Sequence, residues 1–286
     1  MATFLADLFK YTFLQYALIA GLLSSVACGI IGSYVTVRRI TYIAGAIAHS
    51  VLGGMGAARY LNIVAGIKFL NPLHGAVFAA VVSALIIGAV TVYSKQREDT
   101  VLSAIWAVGM AFGILFIYAT PGYSEDLMSY LFGNILMVRK QDLFLMLFLD
   151  LIIIVVTFLF YNRILSIAFD NEYARLKGIK VEVYTILLLV LTALTIVIMA
   201  QVVGIVMVIA LLALPAASAS TFAKRLWQMM LYSITLSVIY TTGGLIISYK
   251  PNLPSGAVII IFSGAVYILL NAGKRILHAI RMKHLY

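Results

Sequence analysis

Apolar stretches recur along almost the whole of this 286-residue chain, and the charges between them fall largely on one side. A span needs roughly 20 apolar residues to cross a hydrocarbon core about 30 Å thick. About nine segments meet that need: 12–37, 41–60, 73–94, 101–120, 142–162, 183–201, 203–222, 228–248 and 255–272. With Arg38 and Arg39 in the cytoplasm and the segments alternating, only Lys10, Arg59, Lys68, Arg139, Lys140 and Lys250 fall outside. The other fourteen of the 20 Lys and Arg face inward. That bias is the positive-inside pattern, and it predicts an outside N-terminus and a cytoplasmic C-terminus.

The expected fold class is therefore all-α, a polytopic integral membrane protein of about nine transmembrane helices. Only 10% of residues are charged, against about 25% in soluble domains. No loop is long enough for a soluble domain, so residues 1–286 read as one transmembrane unit, and ATP hydrolysis would need another polypeptide. The net charge of +10 is loop charge facing anionic lipid or a cytoplasmic protein, and calls for no nucleic acid. The one cysteine, Cys28, allows no internal disulfide. No phosphate-binding G-x-x-x-x-G-K-[ST] loop is present.

The punctuation is uneven. Asn71-Pro72, Pro121-Gly122 and the 250–256 segment mark breaks by proline's restriction of itself and its predecessor. Residues 183–222 carry no charge, and only Gln201 and Gly204 mark a reversal there. One long broken helix is the alternative, but it would put Lys224 and Arg225 outside. The 163–182 segment is the largest cytoplasmic loop. Asp170 and Glu172 precede Arg175 and Lys177 around Ala174 and Gly178, an order that suits a short helix with acids at its N-terminal end. Such a helix could dock a soluble partner or simply connect two spans.

Ionisable residues inside spans are costly, and each is a candidate for function. His49 lies about two turns from Arg38-Arg39 among small residues that allow close packing or a narrow path. A neutral imidazole there could bind a divalent metal, or could bond to a neighbouring helix. Asp150, amid leucine and isoleucine, could line a path or make a polar contact in the bundle. His74 reads as interfacial. Pro215 removes a backbone donor inside a span, and Ser218 and Ser220 are placed to satisfy the freed carbonyls.

Four stretches together resemble the membrane permeases of the zinc/manganese/iron class of ABC importers, nearest its zinc-uptake members. They are Val37 to Tyr42 with Ala46 to Ser50; Asp126 to Leu136; Tyr173 to Ile179; and Leu191 to Thr195 continuing through Gly204 to Ala219. The resemblance implies a homodimer of vitamin-B12-importer-like subunits in the bacterial inner membrane. It implies a separate cytoplasmic ATPase docking on a coupling helix that matches Asp170, Glu172, Ala174, Arg175 and Gly178. It also implies an extracytoplasmic binding protein that delivers the metal, with no permanently bound cofactor. His49 matches the histidine of an Asp–His pair that holds the ion in transit, and Asp126 and Asn134 are the next candidates to meet incoming metal. The aspartate position of the pair is Gly45 here, and a lone imidazole favours Zn2+ over Mn2+. Two other classes stay open from the residues alone. One is a secondary carrier using Asp150 as its coupling group; the other is a membrane enzyme, for which His49 and Asp150 lack a third partner.

Overall fold

The computed structural model describes residues 2–93, 98–121, 133–205, 208–251 and 253–283, and every regular element among them is helical. The helices are α1 (Ala2–Lys10), α2 (Thr12–Arg38), α3 (Thr41–Ile63), α4 (Pro72–Tyr93), α5 (Glu98–Ala119), α6 (Lys140–Leu159), α7 (Tyr161–Phe169), α8 (Asn171–Leu176), α9 (Val181–Val203), α10 (Val208–Ser220), α11 (Leu226–Tyr249) and α12 (Ser255–Lys283). Seven of them, α2, α4, α5, α6, α9, α11 and α12, are long and apolar enough to cross a membrane. The remaining two of the nine expected segments are α3 and α10. The first is long enough, but its glycines, alanines and polar groups dilute its hydropathy. The second has 13 residues, about 20 Å at 1.5 Å per residue, and is too short to cross alone.

The centre of the bundle is α2 and α9. The apolar window of α9 is 78% buried, whereas that of α5 is 11% buried, so α5 stands at the periphery. Glycine-lined faces bring the helices around α3 into close contact. A Cβ on Gly54 would lie 2.2 Å from the Gly75 carbonyl oxygen on α4, and one on Gly109 of α5 would lie 2.6 Å from the Ser50 Cα. Backbones this close leave no room for a side chain, which is how small residues tighten membrane helix packing.

The uncharged 183–222 stretch reverses, as the charge bias predicts. Thr185 at the start of α9 accepts a hydrogen bond from Arg38, 3.3 Å, at the C-terminal end of α2. At the far end Gly204 caps α9 with φ 80° and lies against Gly133, which leads into the start of α6. After that turn α10 runs back, so that Ser220 and Val37 line one cavity of about 570 Å³ at the Arg38 end.

Pro215 sits inside α10 and cannot donate to the carbonyl of Leu211, four residues back. The serines expected to compensate are engaged elsewhere: Ser218 pairs with the Tyr240 hydroxyl at 3.1 Å and Ser220 donates to Ala217. It is the Cys28 thiol of α2 that donates to the Leu211 carbonyl, at 2.9 Å. A neighbouring helix therefore satisfies the break, a partner that local sequence gives no means of finding.

The 163–182 loop is more ordered than expected. Phe160 ends α6 with φ −108°, and the chain turns directly into amphipathic α7. At the other side α1 is amphipathic too; its Phe4 packs edge-on against Tyr249, and Asp7 accepts a 3.0 Å hydrogen bond from the Tyr249 hydroxyl.

Candidate metal path and coupling helix

His49 is where α3, α5 and α10 converge. Gly45 and His49 are one helical turn apart on α3 and share a face. The imidazole is buried, and its Nδ1 is sealed from solvent without a hydrogen-bond partner among the described residues. Its ring stacks on Trp106 of α5, with centroids 4.2 Å apart and planes 17° from parallel. A Cβ at Gly45 would lie 3.3 Å from the Trp106 Cζ3 and 2.9 Å from the Ile209 Cδ1 of α10. The indole therefore lies across both positions, and Ile209 lies against Gly45. Behind this face Ser83 donates to the Ser50 hydroxyl, 2.7 Å, and Ser50 donates to the Ile47 carbonyl, 2.7 Å, fixing α3 against α4.

An unpartnered imidazole nitrogen can bind a cation or carry a proton, and one imidazole without a carboxylate is a weak ligand set. Among the described residues no group of three His, Cys, Asp or Glu side chains is placed to hold a metal.

Asp150 is buried in α6, and among the described residues neither carboxylate oxygen has a hydrogen-bond partner and no hydrogen bond links it to His49. Asn134 is exposed, and its Oδ1 accepts from the Leu136 N–H at 3.1 Å, capping the 3-10 turn Ile135–Met137. Asp126 lies outside the described residues. His74 sits at a helix start, where its Nδ1 accepts from the Asn71 N–H at 3.3 Å and its ring stacks on Phe69.

The short helix expected around Ala174 is α8. Asp170 caps it, its Oδ1 accepting from the N–H groups of Glu172 (2.8 Å) and Tyr173 (3.1 Å). This satisfies orphan donors of the first turn. Ala174 is fully buried, packed with Ile167 and Val181, while Leu176 and Tyr173 face outward. Gly178 ends the motif with φ 74°, a conformation that favours glycine. Arg175 pairs with Glu182 at 2.9 Å, tying the helix to the start of α9.

Trp106 and Ile209 are the residues that sequence reasoning missed. Neither carries a charge or a motif, and only the approach of three helices brings Trp106 to His49 and Ile209 to Gly45.

A family model described as the ABC 3 transport family matches residues 10–273. A membrane protein of Synechocystis is 41% identical, over 93% of this chain and 92% of its own length. The manganese transport system membrane protein MntC of Halalkalibacterium halodurans is 34% identical, over 93% and 89%. Among solved structures, PsaBC from Streptococcus pneumoniae in complex with Fab matches with a TM-score of 0.83 and 30% identity, covering 94% of each chain.

Proposed function

This chain belongs to the ABC 3 transport family, and from that membership we propose that it is the multi-pass membrane permease of an ATP-driven importer of divalent metal ions. The transported ion is substrate, not a resident cofactor. The observation that carries the reading is His49: a buried imidazole with a free nitrogen, on a helix whose glycine faces admit close neighbours. Family membership supports this reading over the gradient-driven carrier that Asp150 left open.

Zinc is the proposed cargo. Irving–Williams order gives zinc the stronger affinity for nitrogen ligands, and the carboxylate that would suit manganese is absent at Gly45. Manganese is the second reading, favoured by the names of relatives such as MntC.

The ATPase docks on α8, where exposed Tyr173 and Leu176 flank a base held rigid by buried Ala174. Nucleotide-driven closure then moves α8, and with it α7 and α9, as a rigid element that changes access to the path. A second copy covers the apolar face of α5, where Val108, Phe112, Leu115 and Tyr118 are exposed. A binding protein delivers metal at the outer face near Asn134 and Asp126. Arg38 and Arg39 lie at the cytoplasmic end, in the orientation that the charge bias favours.

The test is uptake of zinc, with manganese as competitor, into proteoliposomes that contain the permease and its ATPase and receive metal from the binding protein. ATP-dependent zinc uptake that His49→Ala abolishes is the expected result. Uptake that survives the substitution moves the path away from His49, and no ATP-dependent metal uptake with active partners sinks the importer reading.

A further inference from the structure

We infer that Trp106 is the specificity-determining residue of the ion path: its indole stacks on His49 and occupies the room a carboxylate at position 45 would need. This rests on the reading of His49 as the path's ligand. The two contacts come from one ring. The indole lies against the imidazole face at 4.2 Å, 17° from parallel, and its Cζ3 edge reaches to 3.3 Å of where a Cβ at Gly45 would stand.

Stacking and coordination use different directions of the imidazole. A metal binds the nitrogen lone pair in the ring plane, whereas the indole covers a ring face. Trp106 therefore leaves the donor chemistry of His49 intact and fixes the plane in which it can act. At the same time its edge, with the Ile209 Cδ1 at 2.9 Å from a Cβ at position 45, crowds any side chain placed there on the adjacent turn of α3. An ion at His49 then gains no oxygen ligand from position 45. Such a site retains ions that bind one imidazole well and discriminates against those that need carboxylate oxygen, zinc over manganese. Glycine at 45 and a large aromatic at 106 then act as one arrangement.

Substituting Gly45→Asp alone forces a side chain into the Ile209 and Trp106 side chains. Gly45→Asp together with Trp106→Ala removes the ring from that volume, leaves only the flexible end of Ile209 to give, and places an acid one turn from His49. The double variant is expected to shift the manganese-to-zinc uptake ratio toward manganese by at least about tenfold, the size ordinary for a change in a metal's surroundings. The single Gly45→Asp variant is expected to shift it much less. Trp106→Phe, which keeps an aromatic face for His49, should retain the native preference, and Trp106→Ala should lose it.

A second readout does not depend on transport. The chain has two tryptophans, Trp106 and Trp227, so Trp227→Phe leaves Trp106 as the only indole emitter. In the assembled complex with its ATPase, zinc is expected to change that emission, and His49→Ala to remove the response. If His49→Ala abolishes uptake while Trp106 emission ignores zinc and Trp106→Ala leaves the metal preference unchanged, the role of Trp106 is overturned and the importer reading stands. If His49→Ala leaves uptake intact, the path reading falls and takes this inference with it.

Discussion

Single residues in this bundle differ most in whether their polar atoms find partners. Asp150 is buried with both oxygens unpartnered, an expensive arrangement in any membrane helix. If it serves packing only, Asp150→Asn should leave ATP-dependent uptake within about twofold of the parent, because shape and polarity are kept. Loss of uptake in a protein that still elutes as a folded complex would place Asp150 in the path instead. Cys28 shows the opposite condition, a group whose partner is obligatory. Its thiol supplies the donor that Pro215 denies to Leu211. Cys28→Ala strands that carbonyl, a loss of about 1–3 kcal/mol. Thermal unfolding in detergent should start several degrees lower, with recovery in Cys28→Ser, which keeps a donor. Equal melting of Cys28→Ala and the parent would show that the thiol contact contributes nothing.

At the scale of elements, α8 was the most legible feature of the candidate machinery. Its signals are local: Asp170 as the cap, Glu172 in the first turn, Arg175 in the last and Gly178 just beyond. By contrast α7 was not legible, because Phe160 ends α6 without a proline or glycine to mark the break. The Trp106–His49 stack was equally hidden, since it depends on the crossing of α3 and α5. The cap also sets a prediction. Asp170→Ala removes two hydrogen bonds from a six-residue helix and should cost about 1 kcal/mol locally. Uptake should fall while the ATPase alone hydrolyses as before; unchanged uptake would separate α8 from coupling. Glu182→Gln removes only the charge of the solvent-facing Arg175 pair, a kind of contact that contributes little, and should leave uptake near the parent level.

Across the whole molecule, charge placement predicts the orientation of the helices, and the contacts show which residues share an end. Arg38, Thr185, Ser220 and Lys274 gather at one end, where Lys274 donates to the Thr221 carbonyl at 3.0 Å. At the other end Gly133 meets Gly204, and Tyr249 meets Asp7. The contacts fix which residues share an end, and only the Lys and Arg bias says which end is cytoplasmic. Lys224 and Lys250 flank α11, whose 24 residues span about 36 Å, so they lie on opposite sides of a bilayer core. With Cys28→Ser as background, cysteine placed at each position reports the orientation directly. In intact cells an impermeant maleimide should label Lys250→Cys and spare Lys224→Cys until the membrane is opened. The reverse pattern would invert the molecule and put α8 outside, beyond reach of a cytoplasmic ATPase. Labelling of both in intact cells would mean that α11 does not cross, which its length and its packing against α2 and α12 argue against.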